Sequence, residues 1–363
     1  MAEPGAACDR ATLEKILDMA RWAPSGDNTQ VWRFERVGEQ LVIHGFDTRE
    51  HCIYDFDGRA SQLALGALIE NLSIAAGAHG LQISIERRPG SEHKPTFDVR
   101  FIVDEGLVAS PLASAIEKRS VQRGTLRTRP LTPVEKSKLR AAAGPGMHIV
   151  WIEDRQHRVR MALALLASGR LRLALPEAYP VHRDVIDWGA RFSTDKVPDR
   201  ALGVDRFTLR VMRWALQRWS RVRFMNAVPG GTLLPRLQMD LLPNLACGAH
   251  FLIVARRPCT SVDDFIAAGR DVQRFWLTAT QLGLQLQPLM TPLIFSWHVQ
   301  SGRPLSRDAR LSESAVRLSK QWDEWMGPGA WRSTVFMGRI GAGEAAKARS
   351  VRLPLSRLWQ HAN

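Results

Sequence analysis

The sequence predicts an α+β protein built of two related halves. Two periodicities and one repetition carry that expectation. Apolar residues recur every three or four positions in several long stretches, short runs rich in β-branched and aromatic residues fall between them, and one helix pattern occurs twice. With 363 residues, 45% of them hydrophobic, the chain can bury a large core.

The first helix is expected over Leu13, Ile16, Leu17 and Ala20, and Pro24-Ser25-Gly26 stops it. The stretch "ARWAPSGDNTQVWRF" (20–34) then sets Ser25, Asp27, Asn28 and Gln30 between Trp22 and Trp32. An Asx-type turn at the helix end explains Ser25 and Asp27, and explains Asn28 with Gln30 less readily. Strands are expected at "VWRFERV" (31–37) and "QLVIHGF" (40–46). The helix "ALGALIENLSIAAGAHGL" (64–81) closes on a glycine C-cap, and strands "QISIERR" (82–88) and "TFDVRFIV" (96–103) follow.

The segment "IEKRSVQRGTLRTRPLTP" (116–133) holds Lys118, Arg119, Arg123, Arg127 and Arg129 beside Ser120 and Thr125. Guanidinium forks with hydroxyls and loop amides suit a phosphate monoester, and a solvated basic loop is the alternative. A strand is expected at "HIVWIE" (148–153), and helical material at 155–245. Within it, "RFTLRVMRWALQRWSRVRF" (206–224) spaces Phe207, Val211, Trp214, Ala215 and Val222 near helical intervals among arginines. Three readings stand: a helix buried on one face, a lid over a ligand site, or a helix lying on anionic lipid.

After the strand "HFLIVAR" (250–256), the stretch "AAGRDVQRFWLTATQLGL" (267–284) repeats the earlier helix without a gap. Gly66 corresponds to Gly269, Ala76 to Ala279, Gly80 to Gly283 and Leu81 to Leu284. "QLQPLMTPLIF" (285–295) reads as extended and "STVFMGRI" (333–340) as a strand, while "AKARSVRLPLSRL" (346–358) returns to arginine and hydroxyl with Arg349, Ser350 and Arg352. At nearly the same offset "APSG" (23–26) faces "VPGG" (228–231), where Thr232-Leu233-Leu234-Pro235 replaces the polar residues, so the second copy of the turn reads as degraded. The division that follows is 11–110 for the first half, 111–345 for the second with a helical insertion at 155–245, and 346–363 as a C-terminal arm.

A formal charge of +14 draws anions without choosing among nucleic acid, phospholipid and phosphorylated ligands. Cys8, Cys52, Cys247 and Cys259 have neither zinc-site nor disulfide-framework spacing, which suits a reducing cytosol, and no metal is expected. "MAEPGAACDR" has no apolar leader core, and no apolar run reaches about 18 residues, so neither export nor a spanning helix is expected.

Together these segments resemble the FMN-dependent nitroreductase family. Its flavin-edge turn is matched by Pro24, Ser25, Gly26, Asn28, Gln30 and Trp32, with Val31 where the family usually has proline. Its phosphate segment is matched by Arg119, Ser120 and Arg123, its C-terminal arginine by Arg349 or Arg352, and the residues flanking the reactive face of the flavin by Gln287 and Pro288. The likeness covers most of the chain and is weakest from 155 to 245.

The resemblance implies a nitroreductase-like fold: a central, mainly antiparallel sheet flanked by helices, with the two glycine-capped helices crossing near a pseudo-dyad. It also implies FMN as cofactor, NAD(P)H as electron donor, and a nitro, quinone or similar small acceptor. The flavin's pyrimidine edge offers carbonyl acceptors and an N3–H donor, so Asn28 and Gln30 are the expected readers. The flavin supplies the chemistry, and no catalytic side chain is assigned. Family members pair two subunits around the flavin. Here the parts are divided between the halves, which implies a monomer that imitates the dimer and keeps one FMN. No nucleic-acid partner is expected, and a peripheral membrane contact stays open. The alternatives are an FMN storage protein with a lid at 180–245 and a biosynthetic FMN-dependent dehydrogenase.

Overall fold

The computed structural model describes residues 8–327 and 330–360. Most of the N-terminal segment read above for a leader, and the last three residues of the C-terminal arm, lie outside the described residues. Helix α1 (Arg10–Ala20) opens on Asp9, whose carboxylate accepts from the Thr12 N–H at 2.8 Å, and it buries the expected Leu13, Ile16, Leu17 and Ala20. Strands β1 (Trp32–Val37) and β2 (Gln40–Gly45) form a hairpin, and α2 (Arg59–Gly77) leads to β3 (Leu81–Arg87) and β4 (Thr96–Val103). These strands make an antiparallel sheet in the order β1-β2-β4-β3.

The short α3 (Ala113–Ile116) precedes the basic segment, and α4 (Pro133–Ala142) starts on a capping box of Thr132 and Glu135. Strand β5 (Met147–Ile152) enters a long excursion. It comprises α5 (Arg155–Ala174), α6 (Tyr179–Asp184), the short strands β6 (Ile186–Asp187), β7 (Phe192–Ser193) and β8 (Val197–Pro198), then α7 (Arg206–Leu216), α8 (Trp219–Ala227), α9 (Leu233–Arg236) and α10 (Leu242–Leu245). The chain returns in β9 (Ala249–Ala255), α11 (Val262–Gln281) and β10 (Leu284–Pro288), passes through α12 (Thr291–Gln300), α13 (Ala309–Met326) and α14 (Ala330–Ser333), and finishes in β11 (Thr334–Ala342) and β12 (Arg349–Ser350). The second sheet is also antiparallel, in the order β5-β9-β11-β10.

The class is α+β, with helices flanking antiparallel sheets. With the excursion and α12–α14 set aside, α4, β5, β9, α11, β10 and β11 repeat the order of α1, β1, β2, α2, β3 and β4, and the strands pair in the same order. The expected central sheet is divided in two, each sheet closing its own core; α11 lends Val262 and Ile266 to the first core and α2 lends Leu63 to the second. Phe34, Ile43 and Val99 pack with Leu17 and Leu68 in one core, and Phe251 and Ile340 pack with Leu139 and Phe275 in the other.

The two cores meet where α2 crosses α11. A Cβ on Gly66 would sit 2.0 Å from the Ile266 carbonyl oxygen, and one on Gly269 would sit 2.2 Å from that of Leu63, so glycine at each position lets the backbones touch. Beside the crossing, Gln273 Nε2 donates to Asn71 Oδ1 at 2.7 Å and Arg270 pairs with Glu70 at 2.9 Å.

Three expectations need correction. The Val228–Gly231 turn is no counterpart of Ala23–Gly26: it joins α8 to α9 inside the excursion, and no strand follows it. The loop that occupies the equivalent position, between α4 and β5, contains Gly144-Pro145-Gly146, so the 228–231 match came from glycine and proline alone. The stretch 285–295 is extended only to Pro288; Pro292 then occupies the first turn of α12, where a missing N–H costs nothing. The 206–224 stretch breaks at Arg218, whose extended backbone (φ −145°, ψ 133°) separates α7 from α8.

Candidate functional site

A cavity of about 700 Å³ lies between the halves and beneath the excursion, a size suited to a small-molecule or cofactor site. Its wall begins with the turn after α1. Asp27 (φ 50°), Asn28 (φ 64°) and Gln30 (φ 49°) all adopt left-handed backbone, a conformation that costs a residue with a Cβ roughly 1–2 kcal/mol. Surrounding bonds hold it in place. The Ser25 hydroxyl accepts from the Gln30 N–H at 2.9 Å, and Gln30 Nε2 donates to Asn28 O (3.1 Å) and Thr194 O (2.8 Å). Gln30 Oε1 accepts from the Leu353 N–H at 2.9 Å, and Asn28 Nδ2 donates to Val351 O at 3.1 Å and Lys196 O at 3.3 Å.

These bonds separate the two amides expected to face a ligand. Pro24, Ser25, Gly26 and Asn28 line the cavity; Gln30 does not, and it is wholly buried. Its amide is spent tying the turn to residues 194 and 353. Asn28 still has a carbonyl oxygen that is buried and without a partner. An unpaired acceptor of this kind calls for a donor from a ligand.

Arg119, Ser120 and Arg123 from the basic segment line the same cavity, with Gln287 and Pro288 of β10 and Arg349 and Arg352 of the C-terminal arm. Arg119 and Arg352 converge on one carbonyl, that of Trp22, at 3.1 and 3.5 Å. Arg352 also donates to Ala23 O at 2.9 Å and, like Asn28, to Val351 O, here at 2.8 Å. Arg119 stacks on Trp276 at 4.6 Å, and Arg349 stacks on Trp22 at 5.0 Å and donates to Glu117 O at 2.6 Å.

Among the described residues none of these three arginines is salt-bridged. Burial, then the neighbouring Arg352 and Arg349 charges, push the Arg119 guanidinium well below the usual arginine range, and burial with the same kind of crowding brings Arg352 to about 9. Arg119 Nε is buried with no acceptor. Crowded, uncompensated guanidiniums with a free donor suit an anion with several oxygens. Arg123 stands apart from this group. It donates to Ala201 O at 3.3 Å and faces Asp27, whose carboxyl is raised by burial and drawn back by Arg123 and Arg172.

The excursion covers the remaining wall. His182 of α6 meets the Tyr54 hydroxyl through Nε2 at 2.8 Å and stacks on its ring, and Arg172 of α5 pairs with Asp240 at 3.2 Å. Sequence reasoning missed Tyr54, Arg172, Asp240 and Trp276 as cavity residues, since nothing local marks them. Arg339 was missed too. It lies fully buried in β11, donates to Gln287 Oε1 at 2.7 Å, and holds the 122–124 loop through Gln122 O and Gly124 O at 3.0 and 2.6 Å. An arginine inside the apolar run "VFMGRIG" was the available signal.

No family model matches the chain. It is similar to Uncharacterized protein MT1398 of Mycobacterium tuberculosis, 27% identical over 78% of this chain, and it spans 39% of that relative's length. It is also 27% identical to Putative NAD(P)H nitroreductase Rv3131 of the same organism, covering 78% of each chain. Among solved structures it matches FMN-dependent nitroreductase NfnB from Mycobacterium smegmatis in complex with NADPH, at 16% identity and TM-score 0.37, over 69% of this chain and 98% of that one. A nitroreductase-like family protein from Bacillus cereus aligns at 14% identity and TM-score 0.35, over 70% and 97%. The sequence kinship is with nitroreductase-like proteins.

Proposed function

We propose that this nitroreductase-like chain binds one FMN in the cavity and is an NAD(P)H-dependent oxidoreductase acting on a nitro, quinone or similar small acceptor. The observation that carries the reading is the meeting, in one cavity, of the Asn28 turn from the first half with Arg119, Arg349 and Arg352 from the rest of the chain. Asn28 would take a donor of the ring edge, and the three arginines with Ser120 would hold the phosphate. Gln287 and Pro288 would flank the ring. When bound, the flavin supplies the hydride and electron chemistry. The protein contributes a strained, braced turn and an excess of positive charge.

The repeated order of elements supports internal duplication, with the halves taking the places of the two subunits of a family dimer, and hence a monomer with one site. Four free cysteines support a cytoplasmic location, and among the described residues no helix is long and apolar enough to cross a membrane. A second reading, an FMN store, is favoured by the excursion, which covers the cavity with His182, Met212, Leu216 and Met225.

The experiment is to add FMN to the purified protein, count flavin per chain in the visible band, and then mix with NAD(P)H. One flavin per chain with rapid bleaching supports the oxidoreductase, and a stable colour supports storage. A chain that stays colourless in excess FMN ends both readings.

A further inference from the structure

The arginine- and aromatic-rich stretch of the excursion has work beyond covering the cavity. Between Arg206 and Met239 the sequence holds seven arginines and no carboxylate. The residues exposed on α7 are Arg206, Phe207, Arg210, Arg213 and Trp214, which fall on one helical face, and those exposed on α8 include Arg223 and Phe224. Phe207 is 64% exposed and Phe224 58%, and Val228, Leu233 and Leu234, which follow α8 in the chain, are exposed too. Arg221 stacks on the Trp214 ring at 4.9 Å, so guanidinium and aromatic share one face.

Scattered exposed apolar residues mean little, but rings and arginines gathered on the outer faces of α7 and α8 mark an interaction surface. A second copy would bring the same positive face against itself. A nucleic acid would use the arginines yet leave Val228, Leu233 and Leu234 without apolar cover. An anionic bilayer satisfies both, since headgroups take the guanidiniums and the acyl boundary takes the rings and aliphatic side chains. Phe207 and Leu234 of this segment are exposed and also line the cavity, so it reaches the cavity's edge.

We infer that the α7–α9 face docks on anionic lipid, bringing the edge of the cavity at Phe207 and Leu234 to the bilayer surface. This does not depend on which ligand the cavity holds. Flotation of the full chain with phosphatidylcholine vesicles, and with vesicles containing about one third phosphatidylglycerol, tests it. Binding is expected only to the anionic vesicles and is released by high salt. At about fivefold per basic side chain, R206Q/R210Q/R213Q together lower the apparent affinity about a hundredfold. F207S/W214S/F224S weaken it even at low salt, while an equal charge change elsewhere, R36Q/R100Q/R140Q, leaves it intact. Melting curves establish that each variant folds. Absence of flotation with anionic vesicles overturns the inference, as does equal loss from the distant triple. Full retention by the serine variant, with displacement by a single-stranded oligonucleotide, overturns it in favour of a nucleic acid.

Discussion

Asn28 and Gln30 are two positions apart and have separate tasks. The Gln30 side chain makes three hydrogen bonds inside the protein, whereas Asn28 keeps a buried oxygen unpaired at the cavity. Gln30→Ala is therefore expected to lower stability by about 2–3 kcal/mol. Asn28→Ala removes the ligand-facing oxygen along with the Nδ2 bonds to Val351 O and Lys196 O, and is expected to weaken FMN binding about tenfold with a smaller loss of stability than Gln30→Ala. Flavin fluorescence titration and thermal melts separate the two, and the reverse pattern would exchange the roles assigned here. The importance of this turn was legible from its amides. Which amide faces inward was not, because that depends on three left-handed residues and on the Thr194 and Leu353 backbone brought in from far along the chain.

At the scale of elements, the crossing of α2 and α11 governs how the halves meet. Gly66→Ala would raise helix propensity by about 1 kcal/mol in an isolated helix. Here the added methyl meets a backbone carbonyl oxygen that cannot move without separating the helices. The variant is expected to lose about 3 kcal/mol or more, read as a lower denaturation midpoint, and a neutral or stabilising result would refute the close crossing. The pairing of Gly66 with Gly269 was readable because both copies of this helix kept their length and cap. The pairing of the turns was not. Glycine and proline at 228–231 resemble any tight turn, and only strand order reveals that the excursion interrupts the β5–β9 hairpin.

Across the whole molecule, burial fixes the charge state of two histidines in separate places. Burial, and then Arg172, brings His182 to about 3; burial, with Arg339 and Arg158, brings His250 to about 3. Their ordinary value is 6.5, so below it the unfolded chain takes up protons that the folded chain refuses. The stability they contribute is complete above pH 6.5 and is lost as pH falls towards 3, at up to about 1.4 kcal/mol per pH unit for each histidine. Denaturation of the wild type and of H182Q/H250Q across this window is expected to show a shallower slope for the variant. Parallel slopes would mean that both rings protonate freely in the folded state.

The sequence by itself determined the local pieces: the capped helices, the alternating strands, the turn with its amides and the two arginine segments. Each of these is specified by spacing within a dozen or so neighbours. Tertiary structure decided which pieces share a wall. Asn28 and Arg352 donate to one carbonyl although more than three hundred residues separate them, Gln30 turns away to brace the backbone, and Arg123 donates to Ala201 O instead of joining Arg119 and Arg352 at Trp22 O. Spacing along the chain carries no record of such meetings. They follow from two cores closing against each other at a pair of glycines.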